Sequence, residues 1–99
     1  MMSGLLAFVA IFVEAPLMDD VVQELSKLEN LEELYEVTGE FDIVAILSVE
    51  DIEEFRDILK NKVMKIRGIK STVSSVVLKA MKGPRCPSEP QKTGSSSRQ

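Results

Sequence analysis

Carboxylates, hydroxyls and a single phenol are the groups through which this chain could act on, or hold, another molecule. Asp42 stands at the mouth of an apolar run. A carboxylate there accepts hydrogen bonds either from a ligand's ammonium or from the backbone N–H groups of its own turn. Gly39, in the turn before it, reads first as a residue with positive φ. It also leaves the backbone unshielded, so that a ligand's charged group could approach closely. Ser71, Thr72, Ser74 and Ser75 set hydroxyls along one late segment, where an edge strand would ordinarily leave them solvated. Tyr35 reads as a packed edge residue whose hydroxyl could face a pocket. Glu50, Asp51, Glu53, Glu54 and Asp57 cluster where a helix should start, and acids there complement its dipole. A metal site would need carboxylates from more than one element, and none converge in the sequence.

What is missing narrows the chemistry further. With no His, neither a Ser-His-Asp nor a Cys-His pair can be built, and the His-bearing metal sites are excluded. The one Cys, Cys86, can form no internal disulfide and no cysteine zinc site. Neither a catalytic residue, a metal nor a cofactor is expected. No Trp, and aromatics at 5%, leave little to stack on nucleic-acid bases. The net charge is −4, unevenly spread. Residues 82–99 hold four bases against one acid (+3), while residues 1–81 hold eight bases against fifteen acids (−7). The acidic part should repel a phosphate backbone, so no direct nucleic-acid partner is expected. The apolar run Leu5 to Val13 is too short to span a bilayer and has no charged n-region before it. A buried strand, in a soluble cytoplasmic protein without a membrane partner, is the reading.

The elements that must position these groups follow from periodicity. Leu5–Glu14 is rich in β-formers. Pro16 suits a first helical turn, and Met18, Val21, Val22, Leu25 and Leu28 mark an amphipathic helix over 17–28. Asn30 reads as its left-handed cap. Leu31–Thr38 is a second strand, Gly39 and Glu40 a tight connection, and Phe41–Val49 a third strand. Asp51 with Glu54 makes a capping box, opening a longer helix over roughly 51–66 that stops at Gly68. Ile69–Met81 is a fourth strand. Residues 83–99, rich in Pro, Ser and Gly, have nothing to bury and read as a disordered basic tail. Two βαβ halves of this kind assemble as a ferredoxin-like βαββαβ sandwich: an α+β fold with a four-stranded antiparallel sheet and both helices on one face. The first and third strands, the most apolar, should be central.

That arrangement leaves one face short of cover. A strand with one wet face should alternate. Yet Leu6, Phe8, Ala10 and Phe12 point one way and Ala7, Val9, Ile11 and Val13 the other, with Val44 and Ile46 opposite Ile43, Ala45, Leu47 and Val49. The helices can cover only one set. The other would be a larger apolar patch than monomers usually expose. Sheet packed on sheet through a two-fold axis, a dimeric α+β barrel, is the expected solution.

The segment Tyr35-Glu36-Val37-Thr38-Gly39-Glu40-Phe41-Asp42-Ile43 resembles the YEVTGxFD hallmark of the Lrp/AsnC transcriptional regulators, in their effector-binding RAM domain. Ala7-Phe8-Val9, a helix ending Leu-x-x-Leu, and Ile66-Arg67-Gly68-Ile69-Lys70-Ser71-Thr72-Val73 are similar too; Arg67 stands where the family often has Pro. The related ACT domain binds amino acids on the same topology, but the VTGxFD turn favours RAM. The resemblance covers roughly residues 5–79, within a RAM domain placed at 1–81. It implies a dimer, often assembled into rings of dimers, with amino acids or similar small effectors bound between dimers. It also implies a ligand site drawn from Tyr35, Gly39, Asp42, Ser71, Thr72 and Ser74. Full-length members carry a DNA-binding helix-turn-helix before this domain. Here four residues precede the first strand, so a stand-alone RAM module is expected. The function expected is a non-catalytic amino-acid-binding module that oligomerises. It would regulate transcription of amino-acid metabolism indirectly, for instance by joining a full-length Lrp/AsnC regulator. The alternatives are a small dimeric α+β barrel enzyme and a ligand-free assembly subunit.

Overall fold

The computed structural model describes residues 4–84; the expected tail lies, beyond Pro84, outside the described residues. Strand β1 (Leu5–Val13) leads through a 3-10 turn (Ala15–Leu17) into helix α1 (Met18–Leu25). Strands β2 (Leu31–Glu36) and β3 (Ile43–Val49) follow. Helix α2 (Ile52–Ile58) runs on into a π-helical turn (Leu59–Val63), and β4 (Ile69–Val76) closes the sheet. All pairings are antiparallel in the order β2-β3-β1-β4, so the two most apolar strands are central as expected.

One face of the sheet carries the core. Ala7, Val9, Ile11 and Val13 of β1 and Ile43, Ala45, Leu47 and Val49 of β3 are buried with Val21 and Leu25 of α1 and Phe55, Ile58 and Val63 of the second helical segment. Every second residue of the central strands supplies this face because successive side chains alternate.

Several boundaries differ from the periodicity, each for a physical reason. The first helix ends at Leu25, so Asn30 is not its cap. Instead Asn30 Nδ2 donates to the carbonyl of Ser48 (2.9 Å), and Asn30 O accepts from Ser48 N (2.8 Å), tying the entry of β2 to β3. The α-helical part of the second helix stops at Ile58, and Met64 N donates to Leu59 O, a five-residue spacing that widens the last turn. The fourth strand ends at Val76, short of Met81. Its partner β1 begins at Leu5, and after Val77 N donates to Leu6 O the neighbour runs out. The capping box forms, with Asp51 Oδ1 accepting from Glu54 N (2.8 Å), while Glu54 reaches one residue further back, to Glu50 N (2.6 Å). The β2–β3 connection is wider than a two-residue turn. Val37 N donates to Asp42 O (3.0 Å) and encloses residues 38–41, with Gly39 at φ +114°.

Candidate functional site

The opposite face of the sheet is the unusual surface. Cross-strand register sets Tyr35, Val44, Ala10 and Val73 in one row and Glu33, Ile46, Phe8 and Ser75 in the next, with Phe12 opposite Ser71 beyond them. No helix lies over these rows. Phe8, Tyr35 and Val73 are 49%, 51% and 52% exposed, while Ile46 beneath them is 6% exposed. At one end Phe12 and Phe41 stack at 5.0 Å with a 53° tilt, closing the 37–42 loop over the sheet. A monomer thus presents an apolar floor to solvent.

The six expected ligand residues divide between the two faces. Tyr35 and Ser71 belong to the bare face, but on opposite edge strands: three interstrand steps, about 14 Å, separate the β2 and β4 edges. Thr72 and Ser74 point to the helix side, in rows with Ile11 and Val9. Thr72 Oγ1 donates to Met64 Sδ (3.8 Å). Ser74 Oγ is buried without a hydrogen-bond partner among the described residues, in a row whose other members are Val9, Ala45 and Leu34. A buried hydroxyl without a partner is unusual and marks a position where a further acceptor or donor would be favourable.

Asp42 and Gly39 share the 37–42 loop. Asp42 Oδ2 accepts from Val13 N at 2.8 Å. β3 begins at Ile43, so the strand has no carbonyl left for Val13, and the carboxylate substitutes for it. The local pairing is already irregular: Phe12 opposes Ser71 and Val13 opposes Ile69, leaving Lys70 as the extra residue of a bulge. Gly39 has no atom within 4 Å of where a Cβ would stand, so its backbone lies open. Tyr35 Oη donates to Glu33 Oε1, and this bond, together with the negative charge of Glu33, raises the Tyr35 phenol above its ordinary value of 10.0.

A feature the sequence did not single out lies on the helical layer. Asp20 and Glu24 of α1 face Lys62, Lys65, Ile66 and Arg67 across a shallow groove of about 430 Å³. The spacing of these charges along each helix was visible; that the two helices run side by side was not. Among the described residues no helix is long and apolar enough to cross a membrane.

Fold and surface together define a small ferredoxin-like α+β domain with one helix-covered and one bare apolar sheet face. The model of the Lrp/AsnC ligand binding domain matches residues 6–85, and the chain belongs to that family. An uncharacterized HTH-type transcriptional regulator of Pyrococcus horikoshii is 36% identical over 78 residues, covering 79% of this chain and 49% of that protein. The crystal structure of a Thermus thermophilus protein is similar at 25% identity and a TM-score of 0.75, over 80% of this chain and 99% of that one. A feast or famine regulatory protein from M. tuberculosis, complexed with L-methionine, is similar at 29% identity and a TM-score of 0.70, over 82% of this chain and 54% of that one. The chain spans about half the length of the curated relatives it matches.

Proposed function

We propose that this chain is a non-catalytic effector-binding module of the cytoplasm, which assembles as a dimer through its bare sheet face and takes an amino acid or a similar small molecule. The observation that carries the reading is the conjunction of the family match over residues 6–85 with a sheet face whose Phe8 and Val73 stand half exposed above a buried Ile46. Burying such side chains contributes roughly 1.5–3 kcal/mol each. The L-methionine complex of the M. tuberculosis relative supports the effector class. The Thermus thermophilus protein, matched over 99% of its length, supports a domain that works without further segments.

The ligand groups in this reading are Tyr35, Gly39, Asp42, Ser71, Thr72 and Ser74. They do not meet within one chain, so a common site needs edges from more than one copy. Dimers then join into larger assemblies, and an effector held between chains stabilises the assembly that holds it, by linkage. Regulation of amino-acid metabolism follows if the module joins a full-length Lrp/AsnC regulator through the same face. The test is light scattering after size exclusion, together with thermal melting, with and without a panel of amino acids. A raised melting temperature or a larger assembly with one of them is expected. A chain that stays monomeric at micromolar concentration defeats the dimer; a dimer indifferent to every amino acid defeats the sensor and leaves a ligand-free assembly subunit.

A further inference from the structure

The charges of this chain are sorted along its length. Residues 28–55 contain ten acids and no Lys or Arg; residues 58–88 contain eight bases and no acid. The sheet order places these two blocks at opposite edges. One edge is β2 and its loop, bearing Glu33, Glu36 and Glu40; the other is β4 with its flanks, bearing Arg67, Lys70 and Lys79. All six are exposed, and none forms an ion pair among the described residues.

If two copies cover each other's bare face, a two-fold axis between the sheets has two simple directions. An axis across the strands sets β2 against the partner's β2 and β4 against the partner's β4: acid on acid, base on base. An axis along the strands sets β2 against the partner's β4 at both seams. Such a rotation keeps the level along the strands. Glu36 shares its row with Thr72, and Lys70 and Arg67 lie just beyond Thr72 toward the same end. The loop carrying Glu40 is at that end as well. At the other end Glu33 is level with Ser75, with Lys79 further on. The two edge strands also run antiparallel, as adjoining strands of an antiparallel barrel must.

We propose that two copies pair with the two-fold axis along the strands, the acidic β2 edge of each lying against the basic β4 edge of the other, and that this charge sorting selects the orientation which the apolar face alone leaves open. Apolar burial is non-directional, whereas like charges brought together are repelled. The arrangement also sets Tyr35 of one copy at the same seam as the partner's Ser71, two expected ligand residues that one chain holds about 14 Å apart. The inference rests on the dimer proposed above.

The test uses the full chain in three forms. One reverses the acidic edge (Glu33→Lys, Glu36→Lys, Glu40→Lys), one the basic edge (Arg67→Glu, Lys70→Glu, Lys79→Glu), and one both. Circular dichroism checks that each form folds, and Gln in place of the reversed charges serves for any that does not. The dimer dissociation constant is read by sedimentation at low salt and at 1 M salt. Six exposed pairs over two seams, each modest in water, make about tenfold the least weakening expected for either single-edge reversal at low salt. The double reversal should return to within about threefold of the parent, and 1 M salt should compress the differences as the Debye length falls to ~3 Å. Single reversals that leave a dimeric parent's constant unchanged overturn the proposal, as does a double reversal no tighter than the single ones. A parent that is itself monomeric removes the dimer reading as well, which separates that failure from a wrong orientation.

Discussion

Removing the Asp42 carboxylate should loosen the far end of β1. Ile11 and Ile43 form the last regular pair between β1 and β3, and Asp42 N donates to Ile11 O (3.0 Å). One step on, Val13 N depends on Asp42 Oδ2 (2.8 Å). The Phe12–Phe41 contact and the Val37–Asp42 backbone bond keep the loop in place without the carboxylate. Asp42→Ala therefore leaves the N–H without an acceptor in a partly buried position instead of releasing it to water. A hydrogen bond to a charged group contributes about 1.5–3 kcal/mol, so a loss of about 2 kcal/mol is expected. For a domain of this size that lowers Tm by roughly 8–16 °C. Asp42→Asn keeps an acceptor oxygen and should lose about half as much. Urea titration of the three proteins measures both differences. Alanine within about 0.5 kcal/mol of the parent, or asparagine as damaging as alanine, would show that the Val13 bond is not what Asp42 contributes. The asparagine form then isolates the second role: if Asp42 also receives an effector's ammonium, the response to amino acids falls while the fold survives.

Two glycines separate strain from crowding. Gly39 and Gly68 both have positive φ (+114° and +106°), but a Cβ at Gly68 would stand 2.8 Å from Leu17 Cβ and Val21 Cγ2, whereas at Gly39 it meets nothing. Gly39→Ala should cost about 1–2 kcal/mol and Gly68→Ala about 2–4, read from denaturant midpoints; equal losses would contradict the packing of α1 on the Gly68 turn. Tyr35 is the one tyrosine in a chain without tryptophan, so phenolate absorbance reports it alone. Its midpoint should lie above 10.0 and fall back toward that value in Glu33→Gln. The sign follows: with the folded-state value raised, the stability from the Tyr35–Glu33 bond is complete below the unfolded value and lost as pH rises through the folded one. Ser74→Ala should be neutral or stabilising by up to about 2 kcal/mol, because it removes a buried hydroxyl that has no partner; a clear loss of stability would mean that the hydroxyl is satisfied in solution.

Much of the architecture was legible because it is written in local periodicity. The apolar runs of β1 and β3 announced central strands, the spacing of Val21, Val22 and Leu25 a helix face, and Asp51 with Glu54 a helix start that forms. Boundaries were less legible where they depend on a neighbour. β4 stops because β1 has no more residues to offer, and the second helix widens into a π turn around the buried Val63. The candidate site was less legible still. Alternation alone puts Thr72 and Ser74 on one face and Ser71 on the other. Which face lies under the helices is decided by the pairing of β4 with β1 and by the bulge at Lys70.

The chain by itself determined its elements, its two apolar faces and the sorting of its charges, since each of these is a pattern repeated within a few residues. Only the tertiary structure decided that Asp42 caps the end of β1, that Ser74 is buried under the helices, and that Tyr35 and Ser71 lie on opposite edges of the sheet. Those facts depend on contacts between segments tens of residues apart, as between Val13 and Asp42, and such contacts are settled by register and packing across the whole sheet.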